Sequence, residues 1–339
     1  MRTSRRYHAP LVALLALASC HARRDDDARL WDPTRPEARA LAYLAEEVPR
    51  WPRENGCFSC HNNGDAARAL LAARARGLRA HDDALASTLA WLRAPEAWDD
   101  APGDERFQDR RLATLQFAAA LAAADDAGFD VPRASIAAAA RAIAAEQHDD
   151  GSWRVEPEGS VGSPISWGAI RTTHVARTLL RRAALPETER AAQRAGAWLA
   201  GRAARSVVEA ASLVLALEGQ EDRESIAARK SALAVIASGA HRDGGWGPFA
   251  TSPREVFDTA LVLLALAPRA ETPEWKDLLR RGRAFLVATQ EPAGGWPETT
   301  RPAGGTSYAQ HISTSAWATL ALLATCDLDP AALSVRAEP

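Results

Sequence analysis

The chain has 339 residues and a formal net charge of −2, enough for one large domain or two ordinary ones. That near-neutral balance gives no electrostatic case for a nucleic-acid partner, and the arginines lie beside Asp and Glu as on a solvated surface. Eleven tryptophans against three tyrosines and seven phenylalanines point to a repeated structural task for Trp.

The N-terminus is an address. Arg2, Arg5 and Arg6 precede a short apolar run, Leu11 to Ala18, which is too short to span a membrane. Leu17-Ala18-Ser19-Cys20 resembles a lipobox, so residues 1–19 are expected to be a signal peptide and Cys20 the lipidated first residue of the mature chain. Ser4-Arg5-Arg6 weakly resembles a twin-arginine signal. Residues 20–36 are charged, carry Pro33 and Pro36, and are expected to be a tether. The expectation is an exported lipoprotein, anchored by its lipid and facing the periplasm or cell surface.

Cys57-Phe58-Ser59-Cys60-His61 is the sharpest chemical signal. C-x-x-C-H suits covalent c-type haem: each cysteine reaches one vinyl group, and His61 faces the iron. Met1 is the sole methionine, so the sixth iron ligand would be a histidine, water or nothing. Such a haem implies a redox partner protein. Two other readings of Cys57 and Cys60 stay open: a disulfide between them, and a zinc site completed by His61 and another residue of the mouth, His174 or His311 among them. Cys326, near the end of the last apolar helix, reads as a buried thiol.

Beyond this motif the chain repeats itself. Gln147-His148-Asp149-Asp150-Gly151-Ser152-Trp153, His241-Arg242-Asp243-Gly244-Gly245-Trp246 and Gln290-Glu291-Pro292-Ala293-Gly294-Gly295-Trp296 match one another, each between Ala/Leu/Ile-rich helical stretches. The intervals between their tryptophans are 93 and 50 residues, two periods and one. A degenerate unit is therefore expected near Trp198, and stepping back from Trp153 lands in the loop Pro95 to Asp109 and then on Cys60. Six helical hairpins result, over residues 37–328, followed by a tail at 329–339. A lone amphipathic hairpin cannot bury its apolar face, and six at this period can close on themselves.

Phe285 to Gln290 followed by Gly295-Trp296, and Ile143 through Trp153, resemble the "QW" repeat of squalene and hopene cyclases. The resemblance implies an all-α fold, the α6/α6 toroid shared with protein prenyltransferases, with an inner helix ring, an outer ring and a central cavity for an apolar small molecule. It also implies where family chemistry would lie. Glu255-Val256-Phe257-Asp258-Thr259-Ala260 matches the cyclase Asp-x-Asp-Asp-Thr-Ala segment, with Phe257 at the proton-donor position and Asp258 as the retained carboxylate. Against the prenyltransferase Asp-x-Cys zinc pair, Ala260 replaces the cysteine, while His311 could supply the histidine. His174, His311 and Asp258 share the phase of an inner-helix start and are expected at the same mouth as His61. The loops Arg154 to Ile170 and Pro297 to Gln310 are expected to roof that mouth. Three functions follow: a haem-bearing electron-transfer lipoprotein, an enzyme acting on an isoprenoid with Asp258 as its catalytic residue, or a non-catalytic binding scaffold.

Overall fold

A computed structural model describes residues 32–78, 81–100, 110–155, 161–299, 301 and 306–328. The signal peptide, Cys20, most of the tether and the C-terminal tail lie outside the described residues. Among the described residues twelve α-helices follow in chain order: α1 (Pro36–Asn55), α2 (Ala67–Ala75, preceded without a break by a π-helical turn, Cys60–Ala66), α3 (Ala86–Leu92), α4 (Arg110–Asp126), α5 (Arg133–Ala145), α6 (Gly168–Ala183), α7 (Pro186–Ala200), α8 (Val207–Ala216), α9 (Arg223–Ser238), α10 (Val256–Leu266), α11 (Pro273–Thr289) and α12 (Tyr308–Ala324). None among the described residues is long and apolar enough to cross a membrane.

The even-numbered helices form the inner ring, each packed on the next, and α12 packs on α2 to close it. The odd-numbered helices lie outside them. Sequence pattern separates the two rings. Val207–Ala216 and Val256–Leu266 are apolar almost all round and buried almost all round. By contrast α7 buries only Thr188, Ala191, Ala192, Ala195 and Leu199, a single stripe at helical spacing. The all-α toroid of six hairpins is thus the observed architecture, with the degenerate fourth unit at α7–α8.

The repeated tryptophans are clamps. Trp153, Trp246 and Trp296 each donate Nε1–H to a carbonyl ten residues back, on Ile143, Ile236 and Leu286, at 2.8, 2.9 and 2.7 Å. Their backbone N–H groups donate to a hydroxyl on the following inner helix, from Thr173, Thr259 and Ser315. The glutamine of the repeat reaches sideways. Gln147 Nε2 donates to the carbonyls of Gly151 and Ala191, and so holds the next outer helix. Gln290 Nε2 donates in the same way to Gly294 and to Pro36, at the start of the chain's first helix. Gly294 has φ +102°, and a Cβ there would collide with the Arg39 carbonyl. Beside this clamp, Glu37 and Arg283 form a fully buried ion pair. The seam between last and first hairpin therefore uses the joint found inside the ring.

The haem-like motif is built into the first hairpin. Pro52 lies inside α1 and has no N–H to give to the Val48 carbonyl. Asn63 Nδ2 donates to that carbonyl instead, at 3.0 Å, and Asn62 Nδ2 donates to the Glu47 carbonyl at 2.9 Å. Ser59 caps the helix start by accepting from the His61 N–H. Gly64 lets the π-helical turn approach α4, where a Cβ would press on Gln116 at 3.1 Å. Cys326 is buried as expected, but it is disulfide-bonded, not a free thiol.

Candidate functional site

The six inner helices all begin at one face of the ring, where the long loops also lie. The N-terminal parts of α4, α6, α10 and α12, with α2 and the π-helical turn before it, carry the side chains that fill this end of the centre. Asp65, in the π-helical turn, is 1 % exposed. Its Oδ2 accepts from Gln116 Nε2 on α4 and from Ser313 Oγ on α12, each at 2.9 Å, and its Oδ1 accepts from Arg68 at 3.3 Å. Ser313 Oγ also meets His61 Nδ1 at 3.0 Å, which joins His61, Ser313 and Asp65 in one chain. Burial pushes the Asp65 carboxyl up to about 6, against the opposing pull of Arg68 and of its own hydrogen bonds. Burial alone pushes His61 down to about 4, so its imidazole is neutral near pH 7.

Next to this chain the centre is aromatic and cationic. Trp167 and Trp317 meet edge to face at 5.9 Å, and Phe257 meets Trp317 at 5.7 Å. The guanidinium groups of Arg68 and Arg171 lie over the Trp317 ring at 4.9 and 4.7 Å, and over Trp167 at 5.7 and 5.6 Å. Trp167 adopts φ +59°, a conformation bulky side chains rarely take. Phe257, which the resemblance to cyclases sets at the proton-donor position, is thus part of a packed aromatic centre.

Asp258 has a different task. Both its oxygens accept from Arg301, at 2.8 and 2.5 Å, and Arg301 also pairs with Glu255 and donates to the Gly162 carbonyl. One arginine thereby ties together α10 and the two loops expected to roof the mouth. The Asp258 carboxylate is committed to that tie, whereas Asp65 sits at the centre.

The histidines do not gather. His311 and Ser313 are two residues apart, about 200° around the helix axis. Ser313 faces His61, so His311 faces the opposite way, against Tyr43 and near the carboxylates of Glu291 and Glu298, each at 3.7 Å. His174 lies one turn further along its helix. Burial and the nearby Arg171, Arg177 and Arg68 push its pKa well down. No three His, Cys, Asp or Glu side chains among the described residues stand close enough to hold a metal, so His61, His174 and His311 form no zinc site. Neither Cys57 nor Cys60 is in a disulfide, which removes that reading of the pair. Phe58 between them stacks on Trp91 at 4.6 Å and so docks the motif on the second hairpin.

Sequence reasoning missed Asp65, Arg68, Gln116, Arg171 and Ser313. The signal was present: Asp65 and Arg68 interrupt an Ala/Leu-rich inner helix at a spacing of three, where an all-buried helix has no use for charge.

This architecture is that of a terpenoid cyclase-like α/α toroid. No family model matches the chain. The type II terpene cyclase MstE from Scytonema superposes with a TM-score of 0.55 at 15 % identity, covering 87 % of this chain and 99 % of that one. A variant of MstE in complex with its substrate, geranylgeranyl dihydroxybenzoate, gives 0.57 at 15 % identity over 87 % and 98 %. Drimenyl diphosphate synthase of Streptomyces showdoensis is 37 % identical over 92 residues, 26 % of this chain and 17 % of that protein. The likeness to MstE establishes the fold.

Proposed function

We propose that this chain is a toroidal enzyme acting by acid–base chemistry on an apolar, isoprenoid-class ligand, with Asp65 as the group that gives and takes the proton. The observation that carries this reading is a buried carboxyl at the ring centre, shifted to about 6 and hydrogen-bonded through Ser313 to a neutral His61. A carboxyl with its pKa near the working pH is well matched to proton transfer. The Ser313 hydroxyl can relay a proton between Asp65 and His61, and Arg68 steadies the ionised form that remains after donation. Support for the ligand class comes from MstE, whose substrate carries a geranylgeranyl group, and from the similarity to drimenyl diphosphate synthase. The test is turnover of farnesyl and geranylgeranyl substrates, with products read by mass spectrometry. Asp65→Asn should abolish product in a protein whose helical content is unchanged. Full turnover by that variant, with turnover lost in Asp258→Asn, would return the acid role to Asp258.

A second reading has its own observation. Cys57 and Cys60 are outside any disulfide, and His61 makes its hydrogen bond at Nδ1, which leaves Nε2 for a ligand role. The donor set fits a c-type haem, in which Cys57 and Cys60 would hold the porphyrin and His61 the iron. When bound, that group would supply one-electron chemistry, and Ser313 would fix the orientation and tautomer of His61. A pyridine haemochrome spectrum on protein made with cytochrome c maturation decides it. Unmodified Cys57 and Cys60 by mass, in colourless protein, would rule it out.

A further inference from the structure

The ring centre holds more donors than acceptors. Arg171 is 7 % exposed and Trp167 and Trp317 are each 1 % exposed, yet Arg171 Nε and both indole Nε1 groups have no hydrogen-bond partner. The Arg171 side chain makes no hydrogen bond to any described residue; it lies over the two indole faces, and Asp65 attracts it from further off. Arg177, whose Nε is also unpartnered, differs: it donates to the Ala216 carbonyl and to Gln220. The one carboxylate nearby, Asp65, is already shared among Arg68, Gln116 and Ser313. The other charged groups facing Arg171 are Arg68 and, only when protonated, His174. A buried cation that must share its one carboxylate with a second arginine is poorly compensated, and two guanidinium groups stacked on one indole repel each other. Buried donors left open in this way are the imprint of an acceptor-rich group that belongs between them.

We infer that the ring centre is a binding site for an oxyanion of the carboxylate or phosphate class, held between Arg68 and Arg171 and accepting hydrogen bonds from the Trp167 and Trp317 indoles. The bidentate fork of an arginine matches both kinds of anion, and the indole N–H groups add direction without charge. The site is independent of whether Asp65 transfers protons, because it requires only charge and donors.

The test is calorimetric titration of the full chain with inorganic pyrophosphate in one arm and acetate in the other, so that the bound arm identifies the anion class. Arg171→Met removes the charge at similar length. It should weaken binding of that anion by about tenfold or more. Trp317→Phe keeps the aromatic face but deletes one donor, and should weaken binding by about threefold or more. Arg177→Met, on the outer side of the same helix, should leave binding unchanged. The inference is overturned if neither anion binds the wild-type chain, or if Arg171→Met and Trp317→Phe both bind as the wild type does.

Discussion

Replacing Glu37 by Gln is the sharpest perturbation of the ring, because Glu37 opens the first helix and its partner Arg283 lies on the last outer helix. Glu37 is 0 % exposed and Arg283 4 %, so the pair lies out of water. Arg283 also donates to the Leu322 carbonyl at 2.9 Å, which locks the start of α1 to the end of α12. Removing one member of such a pair strips a buried charge of its carboxylate and costs about 3–5 kcal/mol. The glutamine amide keeps one acceptor for Arg283, worth about 1 kcal/mol, so Glu37→Gln should cost about 2–4 kcal/mol. Adding Arg283→Met removes the second charge, and most of the loss should be recovered. The assay is urea unfolding followed by circular dichroism, with limited proteolysis to detect release of α1. A Glu37→Gln protein within about 1 kcal/mol of the wild type, or a double variant as weak as the sum of the singles, would refute the argument that this ion pair closes the ring.

Other outcomes follow from individual contacts. Trp296→Phe removes the Nε1 donor to the Leu286 carbonyl and should destabilise the protein by about 1–3 kcal/mol in the same unfolding assay. Gly294→Ala should cost about 2 kcal/mol or more, because it combines positive φ with a collision at the seam, whereas Gly56→Ala, with open space around its Cβ, should cost about 1 kcal/mol. Asp65 has its pKa raised on folding from 3.8 to about 6, so the folded state binds the extra proton between those values. Its contribution to stability is fully present below 3.8 and is lost as pH rises through 6. The unfolding free energy of the wild type relative to Asp65→Asn should thus improve by about 2 kcal/mol on going from pH 7 to pH 4, and a change of opposite sign would contradict the burial argument.

The ring was legible because its signal is periodic: three Gln…Gly…Trp segments at fixed intervals require equal hairpins, and each tryptophan proves to be a clamp. The centre was less legible because position along a helix start does not settle which way a side chain faces. His311 has the same phase as His61 in sequence, but it is Ser313 that meets His61. Asp258 matched a known acid segment, yet its partner Arg301 comes from a loop 43 residues later, a pairing no local pattern announces. Asp65 and Arg68 were readable in principle, as charges spaced by three on an inner helix, but they directly follow the C-x-x-C-H motif, whose polar residues mask that break in the apolar pattern.

The seam between α11 and α1 also reaches the centre of the ring. The Gln290 amide on the Pro36 carbonyl and the Glu37–Arg283 pair hold the start of α1. Further along the same helix, the Glu47 and Val48 carbonyls hold Asn62 and Asn63. The strap that shuts the ring therefore also steadies the turn in which Asp65 is set, so loosening it would blunt the centre as well as open the fold.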